Sequence, residues 1–244
     1  MQLTFEGKTI DQLAIELIQA YEPLGGYYLG FSGGKDSVVI YHLVKRAKVK
    51  FDAHYNVSPI DPPQIRWFIK EWYPEIVWDY NAKGFFKNVL SQGLPMRPPV
   101  GYRWCCKLIK EAGGSGRVKI LGMRKAESNT RKAYKCFEEK LHQGQDTFWL
   151  LPILNWSDGD VWQYISEHDL ATSALYRHGF RRIGCILCPF HSALETKLEI
   201  QLFPKVAQAW RLASDRYFDK RIERGTPLTY KTKDDFWNWW ISRK

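Results

Sequence analysis

The sequence predicts an α/β fold, an open parallel sheet carrying helices and closed by a helical C-terminal cap. Three observations lead there. Apolar runs of strand length alternate with helix-period segments between residues 27 and 153. The hexapeptide Ser32-Gly33-Gly34-Lys35-Asp36-Ser37 joins the first of these runs directly to a helical segment. From residue 195 onward the pattern is helical and aromatic. The 244 residues, 45% of them apolar, suffice for one α/β domain with a short appendage. The expected division is an α/β domain carrying the hexapeptide over 1–194 and a helical aromatic extension over 195–244.

In chain order, Thr9-Ile10-Asp11-Gln12 reads as a capping box, and Ile10, Leu13, Ala14, Leu17 and Ile18 recur at helical spacing, so an amphipathic helix packs on the core. Pro23, Gly25 and Gly26 end it. The first strand is Tyr27-Tyr28-Leu29-Gly30-Phe31, and after the hexapeptide residues 38–46 continue as a helix. Residues 51–57 make a second strand, Asp61-Pro62-Pro63 opens a helix over 64–72, and 76–80 make a third strand. Strands and helices alternating over short connections describe βαβ units, hence a parallel sheet. Residues 81–102, punctuated by Gly93, Pro95, Pro98, Pro99 and Gly101, read as a loop, with 103–110 at a helix start. A buried strand over 118–123 delivers residues 124–131 at its carboxyl end, the edge at which open parallel sheets bind ligands. A further strand spans 148–153, and Ser157-Asp158-Gly159-Asp160 starts a helix carrying Val161, Trp162 and Ile165. The tail rings Trp210, Tyr217, Phe218, Phe236, Trp237, Trp239 and Trp240 read as a packed cap rather than a base-stacking platform, because each carries a large burial energy. The mostly basic stretch over 205–224 reads as a solvated helix face.

A strand entering a glycine-rich turn that opens into a helix presents unpaired N–H groups and the positive end of a dipole to an anion. Gly33 and Gly34 allow close approach, Ser32 and Ser37 offer hydroxyl donors, Lys35 offers a compact charge, and Asp36 suits a Mg²⁺ that bridges phosphate oxygens. The spacing is neither G-x-x-x-x-G-K-[ST] nor G-x-G-x-x-G.

A formal charge of +10 asks for an anionic partner without choosing among nucleotide, nucleic acid and counterions. No apolar stretch reaches about 18 residues and no basic, then apolar, leader follows Met1, so a soluble cytoplasmic protein without membrane attachment is expected. Five cysteines and no export signal argue for metal or redox chemistry over disulfides. Cys105 and Cys106 are adjacent, and Cys185-Ile186-Leu187-Cys188 is a C-x-x-C pair. Four thiolates suit Zn²⁺ or a [4Fe–4S] cluster, while four reduced cysteines also serve as small buried hydrophobes. Adjacent helical residues point about 100° apart, which suits a cluster better than a single ion.

Ser-Gly-Gly-Lys-Asp-Ser resembles the pyrophosphate loop of the adenine-nucleotide α-hydrolase superfamily, which contains ATP pyrophosphatases and the sulfonucleotide reductases. A Cys-Cys pair followed 79 positions later by C-x-x-C is similar to the iron–sulfur adenylylsulfate reductases. Gly122-Met123-Arg124-Lys125-Ala126-Glu127-Ser128-Asn129-Thr130-Arg131 resembles that family's arginine-bearing segment. On these residues the chain is identified as a member of the phosphoadenylylsulfate (PAPS)/adenylylsulfate (APS) reductase family, iron–sulfur branch, over 27–189. The resemblance implies a Rossmann-like fold and a phosphate site of Ser32, Gly33, Gly34, Lys35, Asp36, Ser37, Arg124 and Arg131. Within that site it gives Lys35, Asp36, Arg124 and Arg131 catalytic roles on ATP with Mg²⁺, or on a sulfonucleotide. It further implies a [4Fe–4S] cluster on Cys105, Cys106, Cys185 and Cys188 with Lys110 beside it, although Ile109 stands where the reductases have arginine.

The reductases use a nucleophilic cysteine near the C-terminus, whereas here no cysteine follows Cys188. Cys136 is left over; Lys132 and Lys135 would lower its pKa, but a thiol without a role is the simpler reading. The favoured function is an ATP pyrophosphatase that adenylates an acceptor for sulfur transfer, as the resemblance to DNA phosphorothioation and tRNA thiolation proteins implies. DNA or tRNA would be the acceptor and a cysteine desulfurase the sulfur donor. The alternatives are reduction of APS or PAPS by an atypical or external thiol, and a non-catalytic iron–sulfur subunit that binds nucleotide or nucleic acid. Oligomeric state is left open, a homodimer included.

Overall fold

The structure is a computed structural model that describes residues 7–98, 101–142 and 145–242. Its sheet has six strands, β1 (Tyr27–Gly30), β2 (Phe51–Val57), β3 (Val77–Tyr80), β4 (Val118–Ile120), β5 (Phe137–His142) and β6 (Gln145–Leu150), in the order β3-β2-β1-β4-β6-β5. β1 pairs in parallel with β2 and β4, β4 pairs in parallel with β6, and β5 closes one edge antiparallel to β6. Tyr27, Tyr28 and Leu29 of β1 are all buried, as a central parallel strand covered on both faces requires. The strand order reverses at β1, so the connections leaving β1 and β4 run to opposite sides and open a crevice at their carboxyl ends.

The helices are α1 (Ile10–Ala20), α2 (Lys35–Ala47), α3 (Pro63–Trp72), α4 (Phe85–Gln92), α5 (Asp158–Glu167), α6 (Ala193–Leu202), α7 (Pro204–Glu223) and α8 (Lys233–Ser242). In α1 the expected box forms, with Gln12 Oε1 accepting the Thr9 N–H at 2.8 Å. α2 buries Val38, Val39, Ile40, Leu43 and Val44, carries Lys45 and Arg46 in its last turn where the helix dipole favours cations, and stops at Lys48 in a left-handed conformation. Ser157 caps α5 by accepting the Asp160 N–H at 3.1 Å.

The chain forms two compact units that are not consecutive in sequence. One contains the described residues up to 56 together with 64–79 and 113–183; the other contains 57–63, 80–112 and the described residues from 184 onward. The C-terminal helices therefore share a core with residues 80–112 instead of forming an extension by themselves. In that core Phe85 meets Trp104 and Trp210 with ring centroids 5.2 and 5.0 Å apart, and Trp210 meets Trp240 at 4.8 Å. Each indole N–H is satisfied, Trp104 on the Gly93 carbonyl, Trp210 on Ile186 and Trp240 on Pro95. Buried rings with paired N–H groups make this part of the aromatic tail a core. The basic stretch over 205–224 is partly engaged within this unit: Arg211 bonds Asp215 and Asp234, and Lys220 bonds the Leu90 carbonyl.

Three elements differ from the expectation. Residues 81–102 contain a helix, α4, bracketed by Gly84 and Gly93 at φ +75° and +82° and buried through Phe85 and Val89. β5 was not expected, since Glu138 and Glu139 interrupt any apolar run, and an edge strand tolerates that charge. β4 ends at Ile120, so residues 121–123 leave the sheet and lead toward the crevice. Among the described residues no helix is long and apolar enough to cross a membrane.

Candidate functional site

The hexapeptide lies at the carboxyl end of β1, with Gly34 as N-cap of α2. Gly33 has φ +73°, and a Cβ there would stand 3.0 Å from Ile65 Cγ2, so both conformation and space demand glycine. Ser37 Oγ donates to the Gly34 carbonyl at 2.8 Å, which makes Ser37 a brace inside the loop. The Gly34 N–H donates to Ser32 Oγ at 3.4 Å, and the Lys35 N–H donates to the Tyr176 hydroxyl at 2.8 Å.

Residues 121–127 approach this loop from the end of β4. A Cβ on Gly122 would fall 2.8 Å from the Asp36 backbone, and that close approach lets Arg124 reach across. Arg124, only 2% exposed, donates from Nε to Asp36 at 2.6 Å, from Nη2 to Asp158 at 2.5 Å and from Nη1 to the Trp156 carbonyl at 3.3 Å. Lys35 Nζ lies 3.3 Å from Asp36 and 3.4 Å from Asp158, the first residue of α5. Lys35 and Arg124 thus share two carboxylates. Burial works to raise the Asp158 pKa, but the Arg124 hydrogen bond and the charges of Lys35 and Arg124 outweigh it and hold the group below the usual carboxylate range. Tyr176 sits edge-on to Trp162 at 5.0 Å, and burial pushes its hydroxyl up to about 12, so it stays a neutral phenol.

A cavity of about 150 Å³ opens over this group, lined by Lys35, Arg124, Glu127, Asp158, Arg181 and Arg182. Arg131 is not among its lining residues; its guanidinium bonds Glu127, whose carboxylate also accepts the Arg124 N–H at 3.0 Å. The structure therefore gathers Ser32, Gly33, Gly34, Lys35, Asp36, Ser37 and Arg124, and sets Arg131 one contact further out. Reading the sequence missed Asp158, Glu127, Tyr176, Arg181 and Arg182 as site residues. Asp158 stood out only as part of a helix start, and nothing in the local pattern marked Tyr176. Asp36 and Asp158 form a carboxylate pair of the kind that, with substrate phosphates, holds Mg²⁺.

The four expected cysteines line one cavity of about 30 Å³ in the second unit. Cys105 and Cys106 come from the start of a π-helical turn, Cys106–Lys110. Cys185 and Cys188 come from a turn in which the Cys188 N–H donates to the Cys185 carbonyl at 3.2 Å. That turn is pinned by the Leu187 N–H on Glu199 at 2.8 Å and by the Ile186 N–H on the Ile60 carbonyl at 2.7 Å. Lys110 Nζ bonds both oxygens of buried Asp61 at 2.5 and 2.6 Å, and Arg103 donates to Cys106 Sγ at 2.8 Å. The hydrogen bond from Cys105 holds the Cys106 thiol down despite burial, with Arg103 adding to it, while burial pushes Cys185 up. Burial works against the charge of Lys110, yet Asp61 and the neighbouring thiols outweigh it and raise its pKa. Four thiols around one cavity beside two cations are the donor chemistry of a soft-metal or iron–sulfur site. They surround that space without three of the described His, Cys, Asp or Glu side chains converging on a single ion. Cys136 belongs to the first unit, and its carbonyl accepts the Leu151 N–H at 2.7 Å.

The sequence profile of the phosphoadenosine phosphosulfate reductase domain matches residues 26–191. An uncharacterized protein of Methanocaldococcus jannaschii is 30% identical over 223 residues, which cover 86% of this chain and 50% of that protein. A second from the same organism is 28% identical over 79% of this chain and 42% of its own length, so the chain spans about half the length of these relatives. An adenosine 5'-phosphosulfate reductase of Bacillus cereus is 28% identical over 174 residues, 64% of this chain and 70% of that one. Among solved structures, phosphoadenylyl-sulfate reductase of Candida auris superposes with a TM-score of 0.51 at 18% identity, over 76% of this chain and 97% of that one. FMN adenylyltransferase of Candida glabrata superposes with a TM-score of 0.52 at 15% identity, over 82% and 77%. These two likenesses show the fold.

Proposed function

Because the chain belongs to the phosphoadenosine phosphosulfate reductase family of the adenine-nucleotide α-hydrolase superfamily, we propose that it is an ATP pyrophosphatase that adenylates an acceptor for sulfur transfer. The observation that carries this reading is the pair Asp36 and Asp158 set among Lys35 and Arg124. Two carboxylates set among the cations of a phosphate site suit a nucleotide that arrives with a divalent cation. Asp36 and Asp158 would hold Mg²⁺ that arrives with the nucleotide, and it would supply charge neutralisation at the leaving group.

The chain's own groups bind and orient. The start of α2 and the Gly33-Gly34 turn take the β- and γ-phosphates, and Lys35 offsets their charge. An acceptor oxygen attacks the α-phosphorus, a new P–O bond forms, and the bond from the α-phosphorus to the oxygen it shares with the β-phosphorus breaks. Its electron pair leaves with pyrophosphate, and the adenylylated oxygen becomes the group that sulfur displaces. A nucleic acid acceptor, DNA or tRNA, agrees with the net charge of +10. Cys105, Cys106, Cys185 and Cys188 would hold a [4Fe–4S] cluster whose chemistry is to carry sulfur or position substrate. A cysteine desulfurase fits as sulfur source.

The reductase reading is supported by the likeness to the Bacillus cereus enzyme and would require Cys136 or an external thiol. The test offers ATP, APS and PAPS side by side to anaerobically purified protein, with and without DNA or tRNA. Pyrophosphate release from ATP, stimulated by one nucleic acid, is expected. Sulfite release from APS or PAPS would replace this reading with reduction, and neither product would leave only a nucleotide-binding subunit.

A further inference from the structure

We propose that Arg181 and Arg182 are the specificity-determining pair of the nucleotide cavity, binding the terminal phosphates of a nucleoside triphosphate and favouring it over shorter or less charged nucleotides. This rests on the nucleotide reading above and names the substrate class within it.

The charge of the cavity lining makes the case. Four cations and two carboxylates face the space, and without Arg181 and Arg182 the charges balance. The inner cations are already committed: Arg124 spends its donors on Asp36, Asp158 and the Trp156 carbonyl, and Lys35 lies between the same two carboxylates. Glu127 is engaged by Arg131 and by the Arg124 N–H. Among the described residues Arg182 has only Glu127 within ion-pair reach, at 3.9 Å, with its side chain 67% exposed. Arg181 is exposed and makes no ion pair among the described residues. The cationic excess that attracts an anion therefore resides in these two side chains.

Their backbone is held in place. The preceding turn is tied to the phosphate loop by the Tyr176 hydroxyl, which accepts the Lys35 N–H at 2.8 Å. It is closed by the Phe180 N–H on the Leu175 carbonyl at 3.2 Å and by the Ser173 side chain on the Leu175 N–H at 3.4 Å. Two guanidinium groups presented from a tied turn into the cavity that Lys35 also lines match the end of a polyphosphate. Guanidinium binds phosphate through two parallel hydrogen bonds, and its pull grows with the number of charges at the tail. AMP lacks the β- and γ-phosphates altogether, and the terminal sulfate of a sulfonucleotide carries less charge than the β,γ-diphosphate of ATP.

The test is isothermal titration of the full chain with α,β-methylene ATP, AMP and APS, each with and without Mg²⁺. The double variant Arg181→Ala/Arg182→Ala should weaken α,β-methylene ATP by about tenfold or more while AMP changes less than about twofold. Arg181→Lys/Arg182→Lys should recover part of the loss, and thermal melting of both variants should match the parent, since both side chains are exposed. Equal loss for all three nucleotides, or no loss for the triphosphate, would overturn this assignment while leaving the nucleotide site standing. A parent protein that binds none of them would overturn the site itself and the assignment with it.

Discussion

Arg124, leaving the end of β4, bonds Asp36 in the first turn of α2 at 2.6 Å while 2% exposed. One buried guanidinium thus fixes the two connections that form the crevice to each other, and its second arm fixes the start of α5 through Asp158. The glycine-rich loop at the start of α2 is anchored by this brace.

Arg124→Ala should destabilise the protein by about 2–3 kcal/mol, less than a fully buried pair because Asp158 is largely solvated. Urea titration checks this. Arg124→Lys should recover little, since one ammonium cannot span three acceptors in the same fork. A variant as stable as the parent would show that the brace contributes nothing.

Asp158 gives a pH dependence. Its folded pKa is lowered, so the stability it adds is present above the ordinary carboxylate pKa of about 3.9 and is lost as pH falls through the folded value. Thermal melts of the parent and Asp158→Asn should differ at neutral pH and converge below about pH 4. A gap that widens toward acid would contradict the assigned sign.

Lys35→Ala should weaken binding of a non-hydrolysable ATP analogue by about tenfold or more, through loss of a charge-assisted contact. Because this lysine also screens Asp36 from Asp158, adding Mg²⁺ should restore part of the affinity. Undiminished affinity in calorimetry would displace the phosphates from the loop.

Tyr176→Phe should cost about 0.5–1.5 kcal/mol of stability, the usual worth of one hydrogen bond. The phenol occupies the Lys35 amide, which a phosphate oxygen can also take, so nucleotide affinity should be kept or rise. Weaker binding would show instead that the hydroxyl contacts the ligand.

Anaerobically purified protein should contain about four iron and four acid-labile sulfide per chain. Cys106→Ser and Cys185→Ser should lose them, whereas Cys136→Ser, outside the four-cysteine cavity, should keep them. Stoichiometric zinc without iron would refute the cluster.

Elements whose signal is local were legible in the sequence. α1 and α2 follow the helical period with caps beside them, and β1, as a buried parallel strand, reads as an apolar run. α4 was hidden because its two buried apolar residues lie beside a proline- and glycine-rich stretch. β5 was hidden because an edge strand gains its stability from pairing with β6 and tolerates charge on its exposed face. The four cysteines were legible because thiol spacing is a sparse pattern, whereas Asp61, the partner of Lys110, gave no sign of that role.

The sequence by itself determined the glycine-rich loop, the alternating strands and helices that flank it and each of the two cysteine motifs, since each is written in residues close together along the chain. Tertiary structure alone decided which charges meet there. Tyr176 reaches Lys35 from 141 positions away, and Asp158 shares Arg124 with Asp36 from the far side of the crevice. Such partners leave no periodic or spacing signal. Their meeting depends on where the reversal of strand order at β1 brings distant connections together, and electrostatic pairing in a buried site is settled only once that geometry exists.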